Sequence, residues 1–267
     1  MIQHSPGASP GTRGSLPLDC YDLNGQTAVV TGASSGLGAR FATVLAQAGA
    51  SVVACGRRLD RLDQLARQHE RIVPIQCDIS SELARVALIE QAAEVTGRID
   101  VLVNNAGISG TARPDVQAIS EFRSIFEINT VAAFHLSQLV APAMREAGSG
   151  AIVNVSSVLG LVAGAPISDA AYVASKGALI ALTRELAVHW AGYGIRVNAL
   201  VPGWFATEMT QNLSDDARSS AWIARNTPLG RFGTVDELDG VLLFLVSDAS
   251  TFCTGSVIVI DGGWTSR

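Results

Sequence analysis

Seven short apolar runs, rich in β-branched residues, are spaced along the chain between residues 27 and 260. Most of them are continuous rather than alternating in polarity, which is the pattern of strands that are covered on both faces. The predicted strands are residues 27–30, 51–54, 72–75, 101–103, 151–155, 196–199 and 257–260.

Segments with helical periodicity lie between these strands. The first begins near Gly36 and ends before Gly49, a residue type that suits the position just after a helix. The others are residues 59–68, 81–95, 122–146, 170–190 and 235–246. Strict alternation of strand and helix, joined by right-handed crossovers, predicts a single-domain α/β fold with a Rossmann-type, doubly wound parallel sheet and helices on both faces.

The N-terminal residues differ in composition from the rest of the chain. Residues 1–18 are rich in Gly, Pro and Ser and lack the apolar core of a signal peptide. We predict a flexible arm over residues 1–20 and one domain over residues 21–267, because no internal repeat or interdomain linker is evident.

Composition narrows the classes of function. The net charge is −5 and no cluster of Lys and Arg occurs, which argues against a nucleic-acid partner. No apolar run approaches the ~18 residues of a membrane span, so we expect no membrane partner. The four cysteines lack the spacing of disulfide frameworks or zinc sites, which predicts free thiols in the cytoplasm and no metal site.

A glycine-rich turn, TGASSGLG at residues 31–38, follows the first predicted strand and opens the first helix. Glycines let the backbone approach a pyrophosphate, and a helix N-terminus offers free N–H groups and the positive end of a dipole. Turns also need glycine for conformational reasons, so the position between strand and helix is what predicts dinucleotide binding. The predicted contacts are Gly32, Ser34, Ser35, Gly36, Leu37 and Gly38.

Gly56, Arg57 and Arg58 follow the second strand, where an acidic residue would favour NAD by binding the ribose 2′-hydroxyl. Arg57 could instead pair with a 2′-phosphate through its planar guanidinium. The alternative is a pair of solvated loop charges. We favour NADP(H) over NAD(H), because the acid is missing and a base is present.

Tyr172 and Lys176 are predicted to lie one helical turn apart on one face of helix 170–190. The ammonium should lower the pKa of the phenol toward the range of general acid–base catalysis. Alone, this short motif would not exclude an ordinary amphipathic helix. Ser156 and Ser157 follow the fifth strand at the edge where open α/β sheets bind ligands, so a serine there could hold a substrate oxygen.

Together these motifs resemble those of the short-chain dehydrogenase/reductase family, and the similarity extends from Leu23 to Trp264. The resemblance implies an oxidoreductase that transfers a hydride between a nicotinamide cofactor and a small ketone or secondary alcohol. In the family's order the motifs are TGASSGLG, Asp78-Ile79, NNAG at 104–107, Asn129, SS at 156–157, YVASK at 172–176, Pro202-Gly203 and DGG at 261–263.

The resemblance also implies a role for each site residue. Tyr172 would be the general acid/base, and Ser157 would polarise the substrate carbonyl. Lys176 would hold the nicotinamide ribose and lower the pKa of Tyr172, while Asn129 would anchor a water in a proton relay. Further cofactor contacts implied by position are Arg57, Asp78, Ile79, Asn105, Ala106, Gly107, Pro202, Gly203, Phe205 and Thr207, together with Tyr172 and Lys176.

One position departs from the family pattern. Residue 159, where the catalytic serine is usual, is Leu, which predicts a two-residue insertion within residues 159–169. Ser156 is the alternative to Ser157, but side chains alternate along a strand end and Ser156 would point to the other face.

Residues 203–228 form the predicted substrate loop and include several bulky apolar side chains. Leu159, Leu161, Val162 and Ile167 would make the opposite wall apolar, which favours a ketone of modest size. Residues 222–228 (WIARNTP) resemble the gluconate 5-dehydrogenase-like branch of the family, which handles polyols and keto acids. The sequence leaves the substrate open.

Helices 122–146 and 170–190 carry more apolar residues than one stripe facing a sheet requires. Their outer faces predict a homodimer, which the family resemblance extends to a homotetramer with 222 symmetry. Exposed alanines are the alternative explanation.

Two other classes of protein were weighed. A catalytically silent, dinucleotide-binding regulator would be expected to lose the Tyr172–Lys176 pair. A cofactor-free dehalogenase or lyase would be expected to lose the glycine turn. The chain keeps both features, so the sequence favours an enzyme.

Overall fold

The computed structural model describes residues 18–110, 112–164 and 169–266, and these residues form one seven-stranded parallel sheet. The strands are β1 Thr27–Thr31, β2 Ser51–Gly56, β3 Ile72–Gln76, β4 Val101–Asn104, β5 Gly150–Val155, β6 Ile195–Pro202 and β7 Val257–Ile260. Their order across the sheet is β3-β2-β1-β4-β5-β6-β7. All the predicted strands are present, and the predicted Rossmann-type, doubly wound sheet is confirmed.

Helices cover both faces of this sheet. Those of the described residues are α1 Gly36–Gln47, α2 Leu59–Gln68, α3 Glu82–Thr96, α4 Ile119–Phe126, α5 Ala132–Ala147, α6 Ala170–Trp190, α7 Gln211–Asp215, α8 Ala217–Asn226 and α9 Asp239–Val246. The predicted bounds of α2 and α6 agree with the structure. Before α9, residues Val235–Leu238 form a 3₁₀ turn rather than the start of the predicted α-helix.

The predicted helical segment over residues 122–146 lies within a longer helical stretch that begins at Ile119 and ends at Ala147. A π-helical turn, Glu127–Val131, separates α4 from α5. A π turn adds one residue while the chain stays helical, so the apolar pattern does not reveal it.

Helix α8 was missing from the prediction, which treated the segment as loop. Only Ile223 of this helix is buried, so its apolar stripe is narrow. Its start is marked nonetheless, because the carboxylate of Asp216 accepts a hydrogen bond from Ser219 N at 2.7 Å.

Both faces of the central strands are buried, which explains the continuous apolar runs. In β1, Ala28 and Val30 lie in one core with Phe41 of α1, while Val29 lies in the opposite core with Leu136 of α5. Successive residues of a strand point to opposite faces, so apolar residues are needed at every position.

Strand β1 pairs in parallel with both β2 and β4, and the direction of winding reverses between β1 and β4. In open α/β sheets this reversal leaves a crevice at the carboxyl ends of the strands, where ligands bind. The fold therefore places the glycine-rich turn after β1 and the segment after β4 at the same crevice.

The predicted arm over residues 1–20 lies mostly outside the described residues. Where the description begins, Asp19–Tyr21 form a 3₁₀ turn. The boundary between arm and domain stays a prediction. Within the described ranges, no helix has the length and apolar character that crossing a bilayer requires.

Candidate active site

A cavity of about 440 Å³ lies at the carboxyl edge of the sheet. Its lining includes every predicted cofactor and catalytic residue except Asn129. The turns after β2 and β3 line one end, whereas residues after β5 and on α6 line the other, because these strands lie on opposite sides of the reversal. The predicted residues thus share one elongated site.

The glycine-rich turn is packed too closely for side chains at two positions. Gly32 has a φ of +68°, and a Cβ on it would lie 2.8 Å from the Cα of Ala106. A Cβ on Gly38 would lie 2.3 Å from the carbonyl oxygen of Gly32. Helix α1 therefore begins directly against the turn, with its N-terminal residues lining the cavity.

The side chain of Thr31 joins the ends of β1 and β4. Its hydroxyl accepts hydrogen bonds from Asn105 N and Ala106 N, each at 3.0 Å. The Asn105 side chain returns a bond from Nδ2 to the carbonyl oxygen of Thr31 at 2.9 Å. Asn105 lines the cavity as predicted, but the bond made by its amide holds the turn in shape.

Arg57 and Arg58 differ in their surroundings at the end of β2. Arg57 is exposed at the rim of the cavity, as the prediction of a phosphate contact requires. The Arg58 guanidinium donates to Ser34 Oγ at 3.2 Å and to Ser35 Oγ at 2.7 Å. From the sequence, Arg58 could have been a solvated loop charge. In the structure its guanidinium is instead hydrogen-bonded to the glycine-rich turn.

Asp78 and Ile79 close this end of the cavity. Hydrogen bonds from the backbone N–H and the hydroxyl of Ser80, at 3.0 and 2.8 Å, lower the pKa of Asp78, and the charge of Arg57 acts in the same direction. One oxygen of the Asp78 carboxylate thus already accepts hydrogen bonds from within its own turn.

The two serines after β5 point in different directions. Ser156 is buried and donates from Oγ to the carbonyl oxygen of Lys176 at 2.8 Å, inside the protein. The Ser157 hydroxyl accepts from Leu159 N at 3.2 Å and lies close enough to the Tyr172 phenol to lower its pKa. This geometry supports the choice of Ser157 as the residue beside the reacting oxygen.

Tyr172 and Lys176 lie on the same face of α6, as their spacing predicted. The Lys176 ammonium nitrogen lies 5.7 Å from the centroid of the Tyr172 ring and donates to the carbonyl oxygen of Val155 at 2.7 Å. Lys176 is 4% exposed and is the only lysine in the sequence.

The expectation that Lys176 lowers the pKa of Tyr172 is not met. Burial raises the pKa of Tyr172, and the negative charge of Asp169 adds to this, while the hydrogen bond with Ser157 opposes it. Burial also lowers the pKa of Lys176 to about 8. A buried site disfavours the charged form of each group, so the phenol keeps its proton at neutral pH.

Asn129 lies in the π-helical turn and is 1% exposed. Its amide accepts from Ile108 N at 2.8 Å and donates to the Ile108 carbonyl at 2.9 Å and to Ser175 Oγ at 3.0 Å. A Cβ on Gly107 would lie 3.3 Å from both Asn129 Oδ1 and Lys176 Nζ. Asn129 therefore fixes the segment after β4 and lies behind Lys176 rather than in the cavity wall.

Asp169 is a site residue that the sequence analysis missed. It is 5% exposed, lines the cavity, and caps α6 by accepting from Tyr172 N at 3.0 Å and from Gly110 N at 2.6 Å. An Asp just before a predicted helix is a helix-start signal, so this residue could have been found from the sequence.

Arg85 is a second residue that the sequence analysis missed, and no sequence motif marks it. Its side chain connects segments from the two ends of the site. It is 3% exposed and donates to the Ile79 carbonyl at 2.7 Å and to Glu127 Oε1 at 2.9 Å. Its Nε donates to His135 Nδ1 at 3.0 Å. Arg85 thus holds the segment after β3 against the turn that carries Asn129.

The predicted substrate loop is anchored by aromatic contacts. Trp204 and Trp222 each pack edge-on against Trp264, with ring centroids 5.5 and 5.4 Å apart. Phe205 is 5% exposed, and Trp204 and Phe205 both line the cavity. Leu159 forms part of the opposite wall, whereas Ile167 lies outside the described residues.

Comparison with known proteins agrees with this geometry. A family sequence model described as enoyl-(acyl carrier protein) reductase matches residues 32–265. The chain belongs to the short-chain dehydrogenase/reductase family. Gluconate 5-dehydrogenase of Gluconobacter oxydans is 38% identical to it over 251 residues, which are 92% of this chain and 97% of that protein. The 3-oxoacyl-(acyl-carrier-protein) reductase of Thermotoga maritima is 39% identical over 90% of this chain and 98% of its own.

Solved structures of the family superpose closely. A short-chain dehydrogenase/reductase from Mycobacterium marinum has a TM-score of 0.90 at 36% identity, covering 94% of this chain and 99% of its own. A gluconate 5-dehydrogenase from Burkholderia cenocepacia, in complex with NADP and tartrate, has a TM-score of 0.89 at 38% identity with the same coverage. This short-chain dehydrogenase/reductase is therefore an NAD(P)-dependent oxidoreductase, and the predicted similarity to gluconate 5-dehydrogenases is confirmed.

The single lysine permits a direct test of the buried ammonium. In protein labelled with ¹³C-lysine, the Lys176 Cε resonance should titrate with a midpoint near 8, against 10.5 for an ordinary lysine. The urea-unfolded chain is the control and should titrate near 10.4, which is typical of model peptides. A midpoint above about 10 in the folded protein would contradict the buried geometry.

The same shift predicts the direction of a stability change. Between pH 8 and 10.5 the unfolded chain binds more protons than the folded one, so the free energy of unfolding should rise with pH in this window. Across this window, the free energy of unfolding of the wild type should rise by on the order of 1 to 3 kcal/mol more than that of Lys176→Met, in which residue 176 does not titrate.

Proposed function

We propose that this oxidoreductase reduces a small uncharged ketone to a secondary alcohol with NADP(H), and catalyses the reverse reaction, with Tyr172 as general acid/base. The observation that carries this proposal is the convergence of Tyr172, Ser157 and Lys176 at one end of a cavity whose other end is the glycine-rich turn. Bound at that turn, the nicotinamide cofactor supplies the hydride.

The protonation state of Tyr172 suits the reductive direction. A phenol with a raised pKa holds a proton that it can donate to the carbonyl oxygen of a substrate. Ser157, which lies beside the same phenol, would hold that oxygen in place. Lys176 would bind the ribose of the cofactor through the ammonium that now donates to Val155.

Asn129 would act behind this group. Its hydrogen bonds to Ile108 and to Ser175 on α6 indicate that Asn129 holds these two residues in position. A water between Asn129 and Lys176, which the family resemblance implies, would return the proton that Tyr172 gives up.

The preference for NADP(H) rests on the residues after β2. Arg57 and Arg58, with Ser34 of the turn, form a group of donors, and residues 57–59 directly after β2 include no acid to bind a ribose 2′-hydroxyl. Structures of similar proteins, described as gluconate 5-dehydrogenases and a 2-deoxy-D-gluconate 3-dehydrogenase, contain NADP. These neighbours support the same cofactor here.

The preference for an uncharged substrate rests on the end of the cavity near Tyr172. Its lining includes Ile108, Leu159, Trp204 and Leu213, and its buried carboxylate is Asp169. Lys176 is the only cation that the described residues place there, and the sequence has no other Lys or Arg between residues 146 and 183. A substrate carboxylate would therefore lack a dedicated partner.

Assembly is proposed from the outer faces of α5 and α6, which lie on the same side of the sheet. Phe134 on α5 and Val188 on α6 are 40% and 78% exposed, and Val131 of the π turn, one helical turn before Phe134, is 42% exposed. Burial of this apolar face against a symmetry mate would form the predicted homodimer or 222 homotetramer. Leu179, by contrast, is 1% exposed and belongs to the core of the protomer.

A cytoplasmic location stays a prediction from the cysteines, which form no disulfide within the described residues.

Tyr172→Phe keeps the ring and removes the proton. Turnover of a ketone panel with NADPH should fall by roughly 10²- to 10⁴-fold, while NADPH binding measured by fluorescence stays unchanged. Tyr193→Phe is the matched control, because Tyr193 is 39% exposed and lies outside the cavity lining. Wild-type protein that binds NADPH but turns over no ketone or alcohol would favour the silent regulator instead.

Replacement of either Arg57 or Arg58 by Met should weaken NADPH binding roughly ten- to a hundredfold and leave NADH nearly unchanged. The reason is that only NADPH carries a phosphate for these guanidinium groups. Arg113→Met, at an exposed ion pair with Asp115, is the control for charge. An equal loss for both cofactors would show that the arginines support the loop and not the phosphate.

Phe134→Glu and Val188→Glu should shift the particle mass, measured by light scattering, from about four times 27.8 kDa toward smaller species that stay folded. Leu83→Glu, at another exposed apolar residue (82%), should not change the mass. Leu179→Glu should unfold the protomer, because a charge would be buried. A wild-type particle near 28 kDa would contradict assembly.

A further inference from the structure

Glu208 lies at the start of the segment that follows Thr207, and its carboxylate reaches across the cavity to the phosphate-binding turn. Glu208 Oε2 accepts from Arg58 Nη2 at 2.9 Å, and Oε1 accepts from Arg61 Nη1 at 2.7 Å. Ser35 also lies close enough to this carboxylate to lower its pKa. An acid from the substrate loop thus occupies the donors at the end of β2.

Arg58 Nη2 is the nitrogen at which Glu208 and a phosphate would compete. It has two hydrogens and already lies within 3.2 Å of three acceptors, which are Ser34 Oγ, Ser35 Oγ and Glu208 Oε2. A phosphate oxygen can bond to this nitrogen only if one acceptor leaves. The two serine hydroxyls can themselves donate to a phosphate, so Glu208 is the acceptor that conflicts with it.

Charge adds to this conflict. Hydrogen bonds from Arg58, Ser35 and Arg61 lower the pKa of Glu208 to about 2, so the carboxylate is ionised throughout the physiological range. A phosphate monoester carries a charge of about −1.5 to −2 at pH 7. Two anions would then share one guanidinium.

We propose that Glu208 sets cofactor discrimination in this protein, by competing with the 2′-phosphate of NADP(H) for Arg58 and so reducing the preference for NADP(H) over NAD(H). The inference rests on the proposed function to the extent that a dinucleotide binds at this turn. It adds an acid on the substrate loop, far from Arg58 in sequence, as the residue that limits the selectivity given by Arg57 and Arg58.

A purely structural role for the ion pair predicts a different result. The side chains of Arg58 and Glu208 are 42% and 40% exposed, and exposed ion pairs contribute little to folding. If Glu208 merely fastened the loop over the cavity, its removal would weaken every adenine nucleotide to a similar degree.

The experiment compares wild type with Glu208→Gln, which keeps the shape of the side chain and removes its charge. Binding of adenosine 2′,5′-bisphosphate, 5′-AMP, NADPH and NADH is measured by calorimetry in phosphate-free buffer at low ionic strength. Glu208→Gln should bind the two 2′-phosphorylated ligands roughly three- to thirtyfold more tightly. Binding of 5′-AMP and NADH should change by less than about twofold.

Glu185→Gln is the matched control, because Glu185 is an exposed acid paired with His189 on α6 and its loss changes the net charge equally. In an Arg58→Met background, the gain from Glu208→Gln should be reduced or abolished, since the effect acts through Arg58. The thermal unfolding midpoints of Glu208→Gln and wild type should agree, which separates the binding effect from stability.

An equal gain, an equal loss or no change for both classes of ligand would overturn this proposal and leave the proposed function intact. Failure of the wild type to bind any of the four ligands would instead contradict the proposed function, and this inference with it.

Discussion

The contact between Thr31 and the segment after β4 is the constraint on which the site depends. β1 and β4 are hydrogen-bonded neighbours whose connections wind in opposite directions, so the segments that follow them turn away from each other beyond the strand ends, where side chains join them. The Thr31 hydroxyl and the Asn105 amide make that joint, and the glycines on either side allow backbone to approach backbone. Both the phosphate-binding turn and the segment that Asn129 holds start from it.

Burial governs the chemistry at the other end of the cavity. The same loss of water keeps the proton on Tyr172 and makes that on Lys176 easier to remove, because each charged form is disfavoured there. The chain has no other lysine. Its remaining long basic side chains are arginines, and an arginine cannot lose its proton in a protein. Among the lysines and arginines, Lys176 is therefore the one whose proton can exchange near pH 8, which suits the role proposed for it in proton return.

At the cofactor end of the cavity, the charged side chains are partly exposed and compete with one another for hydrogen bonds. Specificity is a difference between two binding free energies, and it can be set by a repulsive group as well as by an attractive one. Arg57 and Arg58 supply attraction for a phosphate, whereas Glu208 supplies an anion that is already paired with the same guanidinium. Cofactor choice in this family member thus depends on the substrate loop as well as on the end of β2.

The sequence by itself determined the sheet, the order of its helices and the motif residues, because local periodicity and short-range spacing are written along the chain. Tyr172 and Lys176 could be paired from their spacing alone. The π turn around Asn129, the hydrogen-bond partners of each serine and the contacts of Arg58 were decided only by tertiary structure. Each depends on groups that are distant in sequence, such as Glu208, which is brought to Arg58 across 150 residues by the parallel sheet. Burial, which sets the protonation of Tyr172 and Lys176, is likewise a property of packing and not of residue type.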